Sequence, residues 1–294
     1  MHPLFRSDPQ LRRPALRTTL RPRGFTLIEA VMVIAITGVL ATVVAQFIVP
    51  PVQAYLAVKA RGTLVDHADL ALRRIGRDLR GALPHSVRVS SDGLALELIP
   101  ATSAARYATS GSGALNFGEA DTSFDIVGPP LLLGAAQQLV FYNLGPGVDG
   151  ADAYAPNGSA LEQASANRRL ATNAAGNAST VTLSSLAGLP VGNFAPPYRV
   201  YAVDSPVSYR CNLGTGQLLR HQGYGFQAAQ PQPPTGGSTA VLATGVSACQ
   251  FSADGTLVAA RAALVGLRLS LSTLTSAGSE TVTLHHAVHV ANLP

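Results

Sequence analysis

The sequence contains few charged residues, two cysteines and no tryptophan. Charged side chains make up only 13% of the 294 residues, whereas hydrophobic residues make up 47%. This balance is apolar for a soluble protein, so a membrane-spanning segment is the first feature to look for. Glycine and proline are abundant, at 28 and 20 residues, which favours a loop-rich β domain over a bundle of helices.

Motifs that would carry catalysis are also missing from the sequence. It lacks the nucleophile elbow GxSxG, the phosphate-binding P-loop and the zinc-binding pattern HExxH. Each of these motifs sets reactive groups at a fixed spacing, so their absence removes the usual basis for assigning a reaction. We therefore expect a protein that is not an enzyme and that holds no cofactor.

The net charge of +5 belongs to the N-terminal segment. Positions 1–24 hold six of the 21 basic residues and one of the 16 acidic residues, which leaves 15 of each in the remainder. The six arginines are Arg6, Arg12, Arg13, Arg17, Arg21 and Arg23. A neutral body offers no extended basic surface to a phosphate backbone, which argues against nucleic acid as a partner.

A long apolar run follows the basic segment. Residues 25–49 contain a single ionisable group, Glu29, and as a helix they would span about 37 Å, enough for a bilayer core of about 30 Å. The next basic residues, Lys59 and Arg61, lie well beyond the run, so the N-terminus is expected in the cytoplasm. The sequence therefore predicts a single-pass anchor with the C-terminal domain across the membrane.

Three simpler interpretations of this run fit less well. An ordinary secretory signal has a shorter apolar core followed by a small-residue cleavage site, and no such site precedes Pro50-Pro51. The pair Arg12-Arg13 lacks the surrounding residues of a twin-arginine signal. A plain signal anchor explains the hydrophobicity but not Glu29, because a carboxylate is costly in lipid unless something pairs with it.

The string RGFTLIE, from Arg23 to Glu29, resembles the prepilin signal of type IV pilins and of type II secretion pseudopilins. The resemblance joins a basic leader, a glycine, an aromatic residue, an acid at the fifth position and a long apolar run. It implies that a prepilin peptidase cuts between Gly24 and Phe25, where glycine lets a protease approach the backbone, and then methylates the Phe25 amine. It also implies that Glu29 takes part in assembly by neutralising that amine on a neighbouring subunit. The alternative is a Glu29 side chain that only reaches the headgroups.

Helical periodicity resumes after Pro50-Pro51, which are expected to interrupt or kink the helix. An amphipathic continuation is predicted over residues 50–84, with Gly81 and Pro84 at its end. Its apolar stripe comprises Val65, Ala68, Leu72, Ile75, Leu79 and Ala82. The opposite face is charged and includes the four-apart pairs Asp69–Arg73 and Arg74–Asp78. The simpler interpretation of this face is a solvated surface, and the alternative is a surface that binds a partner.

From Val87 the periodicity changes to two, and Asp92-Gly93 marks a hairpin turn. The fold class predicted is α+β, with a long N-terminal helix packed on an antiparallel β-sheet domain over residues 85–294, which is also the pilin architecture. Further strands are predicted at 138–143, 180–184, 198–203, 206–211, 216–221, 246–252, 257–274 and 280–291. Two stretches rich in Ala, Ser, Gly and Asn, 101–125 and 144–179, are predicted as long surface loops.

The cysteines Cys211 and Cys249 leave three possibilities: a disulfide, two buried thiols or half of a metal site. No CxxC spacing supports a metal. A disulfide would contribute about 4 kcal/mol in the chain-entropy estimate, and the resemblance to pilins, which often staple their C-terminal region, favours it.

Three histidines near the C-terminus, His285, His286 and His289, form an HHxxH cluster. On a strand His285 and His289 share a face and could hold a metal with a third ligand, but exposed histidines are the simpler interpretation. Asp149 and Asp152 likewise fit a turn better than a calcium loop. No metal site is predicted.

Two stretches point to a narrower family. Residues 201–224 resemble the MshO family of minor pilin-like proteins of the mannose-sensitive haemagglutinin (MSHA) pilus, and residues 73–89 are similar both to that family and to J-type pseudopilins. The resemblance covers most of 24–99 and 198–250.

This resemblance implies a minor pilin in the bacterial inner membrane, with its domain in the periplasm, that takes part in initiation or tip assembly and enters a surface pilus. Its expected partners are prepilin peptidase, other pilins and the inner-membrane assembly platform. The alternatives are a J-like minor pseudopilin of type II secretion and, from another class, a membrane-tethered hydrolase or metal-binding domain that uses the histidines.

Overall fold

The structure is a computed structural model, and its fold class is α+β. It describes residues 24–155, 166–184, 187–253, 262–276 and 278–292. Helical residues run from Leu27 to Arg80 and are followed by antiparallel sheets, which confirms the predicted fold class. The chain divides into two compact units, Met1–Gln53 and Ala54–Pro294. Of the predicted basic leader, only Gly24 lies within the described residues.

The first unit is helical from Leu27 onward. Helix α1 spans Leu27–Val43, a π-helical turn spans Val44–Ile48, and helix α2 spans Val49–Arg80. Both prolines, Pro50 and Pro51, are helical, so the helix is not interrupted at these positions, and a kink there stays a prediction. The π-helical turn lies directly before them and has wider hydrogen-bond spacing, with Val49 donating to the carbonyl of Val44. A local π turn of this kind can accommodate proline within a helix.

Helix α2 continues into the second unit, where one apolar stripe of the helix is buried. Most of the predicted stripe is buried, but Val65 is 37% exposed and Leu64, one position earlier, is buried instead. The helix ends at Arg80, and Gly81 donates its N–H to the carbonyl of Arg77 at 3.2 Å. The buried helical residues are Leu64, Ala68, Ala71, Leu72, Ile75, Gly76 and Leu79.

Among the described residues, sixteen strands form four sheets. The strands are β1 Arg88–Val89, β2 Ala95–Leu98, β3 Ala101–Tyr107, β4 Ser123–Val127, β5 Leu131–Leu133, β6 Gln138–Phe141, β7 Arg168–Leu170, β8 Gly176–Ala178, β9 Thr180–Thr182, β10 Arg199–Val203, β11 Val207–Asn212, β12 Gln217–Gln222, β13 Ser238–Thr244, β14 Val246–Ala253, β15 Ala262–Thr275 and β16 Gly278–Ala291. The strand orders are β1-β2-β11-β12-β13, β7-β6-β10-β3-β4-β9, β14-β15-β16 and β5-β8. A short 3-10 turn covers Val191–Asn193.

The first predicted hairpin is present. Strands β1 and β2 pair antiparallel, with Val89 opposite Leu96. The turn places Gly93 at a φ of 69°, a left-handed conformation that glycine adopts without steric cost. The Asp92 carboxylate accepts the N–H of Leu94 at 2.9 Å, as Asp side chains commonly do in turns.

The interpretation of 101–125 and 144–179 as surface loops is partly wrong. Strand β3 opens the first stretch and lies between β10 and β4 inside the six-stranded sheet. Strands β7 and β8 lie in the second stretch, whose residues 156–165 fall outside the described residues. The β3 sequence ATSAARY has weak strand propensity, and here its pairing on both sides outweighs that propensity.

Buried apolar residues form three clusters in the second unit. The first places the α2 stripe against β2, β11 and β12 and against the three-stranded sheet. The second lies against the six-stranded sheet and combines aliphatic residues with three buried aromatic rings, Tyr107, Phe124 and Phe141, in edge-on contact. The third is smaller and includes Leu83, Ile99 and residues of β6 and β10.

Strand β16 runs alongside α2, and two contacts fix its direction. Arg61 Nη2 lies 2.9 Å from Glu280 Oε2, and a Cβ on Gly76 would lie 3.3 Å from His286 Nε2. The fifteen-residue interval on the helix rises about 22 Å, and the six-residue interval on the strand rises about 20 Å. The two elements therefore run in the same direction, and Gly76 permits their close approach.

Candidate functional site

The start of α1 carries the residues that the sequence predicts for processing and assembly. Thr26 is the N-cap, with extended φ and ψ of −83° and 151°, and its Oγ1 accepts the N–H of Glu29 at 3.3 Å. The spacing Thr-x-x-Glu is that of a capping box. Sequence reasoning missed this role of Thr26, although the spacing was visible in the string TLIE.

Glu29 lies in the first turn of α1. A carboxylate there is favoured by the positive end of the helix dipole, which offsets only part of the cost of placing it in lipid. Its side chain makes no hydrogen bond or ion pair with the part of the chain that the structure describes. The described residues therefore supply nothing that compensates for its charge in a membrane.

The glycine at the predicted cleavage position is not required by the surrounding structure. A Cβ on Gly24 would meet no atom within 4 Å, and its φ lies outside the left-handed region. The following residue, Phe25, is 77% exposed. A glycine that this fold does not need is consistent with selection by an enzyme that must approach the backbone there.

Helix α1 has the properties of a membrane segment. None of its residues is buried, and exposed large apolar side chains cover it, which a soluble helix would place against a core. The hydroxyl groups of Thr37 and Thr42 donate to the carbonyls of Val33 and Gly38 at 2.7 and 2.9 Å. Such internal bonds satisfy polar groups where no water is available. Among the described residues, the continuous helical stretch Leu27–Arg80, which begins with α1, is by length and composition long and apolar enough to cross a membrane.

A buried ion pair in the second unit was missed by sequence reasoning. Glu97 is fully buried, and its two oxygens accept from Arg88 Nε at 2.6 Å and from the Tyr224 hydroxyl at 2.7 Å. The Arg88 guanidinium lies 3.7 Å from the centre of the Tyr154 ring. Burial, together with the adjacent Glu97 carboxylate, raises the pKa of Tyr224. Since both carboxylate oxygens of Glu97 accept hydrogen bonds, the cluster links separate segments of the chain and offers no free base.

A second cluster joins α2 to the five-stranded sheet. The Asp78 carboxylate accepts from the Tyr209 hydroxyl at 2.5 Å and from Arg220 Nη2 at 3.0 Å. The predicted helix pair is also present, with Arg74 Nε 3.4 Å from Asp78 Oδ1. Asp78 therefore faces the sheet and not the solvated surface where the sequence had placed it.

Burial of Arg169 further corrects the interpretation of 144–179 as a surface loop. Arg169 is 1% exposed and donates to the carbonyls of Ala166, Arg168 and Gly188 at 2.7 to 2.9 Å. Burial lowers its pKa to about 10. The guanidinium thus links three backbone carbonyls in the interior, because its planar group carries several donors that can bind several backbone oxygens at once.

The histidine cluster does not form a metal centre. His285 and His289 are exposed on the same face of β16, whereas His286 points to α2. Four residues of strand separate the two exposed rings by about 13 Å, too far for nitrogens about 2 Å from one ion. Among residues 24–292 that the structure describes, no three His, Cys, Asp or Glu side chains converge as metal ligands.

The GVDGAD segment is a turn held by one aspartate. The oxygens of Asp152 accept the N–H groups of Gly147 and Tyr154 at 2.9 and 2.8 Å, while Asp149 is exposed. Two backbone donors thus occupy the carboxylate that a calcium ion would need.

Cys211 and Cys249 are joined by a disulfide. Cys211 is buried in β11 and Cys249 lies in β14. The bond therefore links the five-stranded sheet to the three-stranded sheet across the main core.

Comparison with known families identifies the N-terminal segment. The family described as "Prokaryotic N-terminal methylation motif" matches residues 20–45, which include Gly24, Phe25, Glu29 and most of the apolar run. No curated protein and no solved structure matches the chain. The protein thus carries a type IV prepilin-like signal on a membrane-compatible helix, which supports a type IV pilin-like or pseudopilin-like protein.

Proposed function

We propose that this protein is a minor pilin-like subunit, structural rather than enzymatic, that takes part in the assembly of a type IV filament, either in its initiation or at its tip. The observation that carries the proposal is the methylation motif at residues 20–45, on a helix that is wholly exposed and bears one unpaired carboxylate. Such a helix needs apolar surroundings and a partner charge. The membrane supplies the first before assembly, and a neighbouring subunit supplies the second in the filament.

Processing would supply that charge. Prepilin peptidase cuts between Gly24 and Phe25, removes residues 1–24, and methylates a Phe25 amine that remains cationic. Glu29 of one subunit then pairs with the Phe25 amine of a neighbour. In a low-dielectric surrounding an unpaired charge is costly, so the pairing fixes the axial position of one subunit against the next.

The proposed topology follows from the same segment. Residues 25–49 anchor the chain in the bacterial inner membrane, residues 50–84 continue the helix, and residues 85–294 form the periplasmic domain. The basic leader favours this orientation. Its proposed partners are prepilin peptidase, other major and minor pilins and the inner-membrane assembly platform.

Mass spectrometry of the intact membrane-extracted chain, from cells with and without prepilin peptidase, tests the proposal. We expect a mature chain that starts at Phe25 and carries one added methyl group, and only when the peptidase is present. Gly24→Val should block cleavage, whereas Gly38→Val is a matched control because a Cβ at Gly38 also meets nothing within 4 Å. A chain that starts at Met1 in peptidase-positive cells would contradict the proposal.

The similarity of residues 73–89 to J-type pseudopilins favours a second candidate, a minor pseudopilin of type II secretion. Deleting the gene separates the two roles. A loss of surface pili with normal exoprotein secretion supports the pilus, including the MSHA-type role, whereas a loss of secretion with normal pili supports the pseudopilus.

A further inference from the structure

The outer face of the three-stranded sheet carries a cluster of polar side chains around Arg268 that pilin assembly does not explain. Strands β14, β15 and β16 place Gln250, Arg268 and His285 directly opposite one another in one row. These three side chains lie on the face opposite Leu267 and Leu269, which are buried against the core. Directly opposed residues in a sheet have Cβ atoms about 5 Å apart, so the row is one contiguous surface.

A depression lies beside this row. The next row along the same face contains only small residues, Ser252, Gly266 and Ala287. Together the two rows line a cavity of about 350 Å³. Its floor depends on Gly266, because a Cβ there would lie 2.5 Å from Ser252 Oγ.

The charges of the cluster are unbalanced. Arg268 makes no hydrogen bond or ion pair with any residue that the structure describes. Its cross-strand neighbours, His285 and Gln250, carry no negative charge that would balance the guanidinium. The side chains lining the depression include donors but no carboxylate.

We propose that this cluster binds an oxyanion: a carboxylate, sulfate or phosphate group on a small polar molecule. The planar guanidinium of Arg268 would hold two oxygens at once, which is the geometry that favours arginine at such sites. Ser252, Gln250 and His285 surround the same space and donate to the remaining oxygens. The small floor leaves room for a ring attached to the anion, as in an acidic sugar. This inference stands apart from the proposed function, since it concerns only residues of the second unit.

Isothermal titration of the full-length chain, purified in an uncharged detergent, tests the site. Sodium glucuronate, sodium sulfate and glucose serve as probes at constant ionic strength, with chloride as the balancing anion. We expect saturable binding of glucuronate and no binding of glucose. Sulfate that binds as tightly as glucuronate would identify a bare oxyanion as the ligand, whereas tighter binding of glucuronate would identify an acidic sugar.

Variants assign the binding to the cluster. Arg268→Gln should weaken binding at least tenfold, and Arg268→Lys should weaken it less, because lysine keeps the charge but loses the fork. Gly266→Ala should weaken binding by filling the floor. Arg199→Gln is the matched control, since Arg199 is an exposed arginine on β10.

Two results would overturn the proposal. The first is no saturable binding of either anion by the wild-type chain. The second is binding that Arg268→Gln and Arg199→Gln reduce equally, which would indicate attraction to overall charge and not to this cluster.

Discussion

Two glutamates show how the same side chain takes opposite roles in apolar surroundings. Glu97 is fully buried, and both of its oxygens are occupied by Arg88 and Tyr224. Glu29 lies on an apolar helix and has no partner among the described residues. A satisfied buried carboxylate stabilises the fold, whereas the proposed function gives the unpaired one on the apolar helix a partner on a neighbouring subunit.

Glu97→Gln should therefore destabilise the protein strongly. The change leaves the Arg88 charge buried without its carboxylate, and loss of one member of a buried pair typically costs about 3 to 5 kcal/mol. Glu280→Gln is the matched control, because its partner Arg61 is 61% exposed and exposed pairs contribute at most about 1 kcal/mol. Urea denaturation followed by circular dichroism measures both. Equal midpoints for the two variants would contradict the structural role assigned to Glu97.

At the scale of elements, the position of α2 on the sheet depends on one stripe. Ile75 is fully buried in the core that joins the helix to two sheets, whereas Val65 is 37% exposed. The sequence pattern placed both residues in the same stripe because a helical period of 3.6 tolerates a shift of one position near its end.

Truncation of these two side chains distinguishes the observed stripe from the predicted one. Ile75→Ala should lower the free energy of unfolding by about 2 to 5 kcal/mol, as for large-to-small changes in a core. Val65→Ala should change it by less than about 1 kcal/mol, because Val65 is already 37% exposed and lies outside the buried core. Both values follow from denaturant unfolding of the full chain in detergent. A larger effect for Val65→Ala would support the original stripe.

Local patterns predicted the elements whose residues carry their own signal. The alternation around Asp92-Gly93 gave the first hairpin, and the four-apart pair Asp69–Arg73 forms at 2.7 Å. Strand β3 could not be predicted in this way, because its alanines and serines acquire order only by pairing with β10 and β4. The continuation of the helix through the prolines at 50 and 51 could not be predicted either, since the π-helical turn that precedes them has no sequence signature of its own.

The residues of the candidate site likewise divide into those that are contiguous in sequence and those that only the fold brings together. Gly24, Phe25 and Glu29 were predicted because the signal that contains them is contiguous in sequence. The Glu97 cluster was not, because Arg88, Tyr154 and Tyr224 come from separate segments that only the fold brings together.

At the scale of the whole molecule, the net positive charge is confined to the N-terminal leader. The basic residues in excess lie in the leader, and the remainder of the chain is neutral. Removal of the leader would leave the Phe25 amine and Glu29 as the charged groups of residues 25–49. If neighbouring subunits pair these groups, the carboxylate is needed for assembly but not for folding or processing.

Glu29→Gln should therefore uncouple assembly from processing. We expect the variant to be cut at Gly24 and methylated normally, because the cleavage position is unchanged, yet to be depleted from sheared filaments at least tenfold relative to the membrane fraction. Glu29→Asp should retain part of the incorporation, since it keeps the charge on a shorter side chain. Asp66→Asn is the matched control, because Asp66 is an exposed acid of α2 outside the apolar run. Immunoblots of filament and membrane fractions, with mass spectrometry of the N-terminus, measure both steps. If Glu29→Gln entered filaments as well as the wild-type chain, the charge of Glu29 would have no part in setting the register.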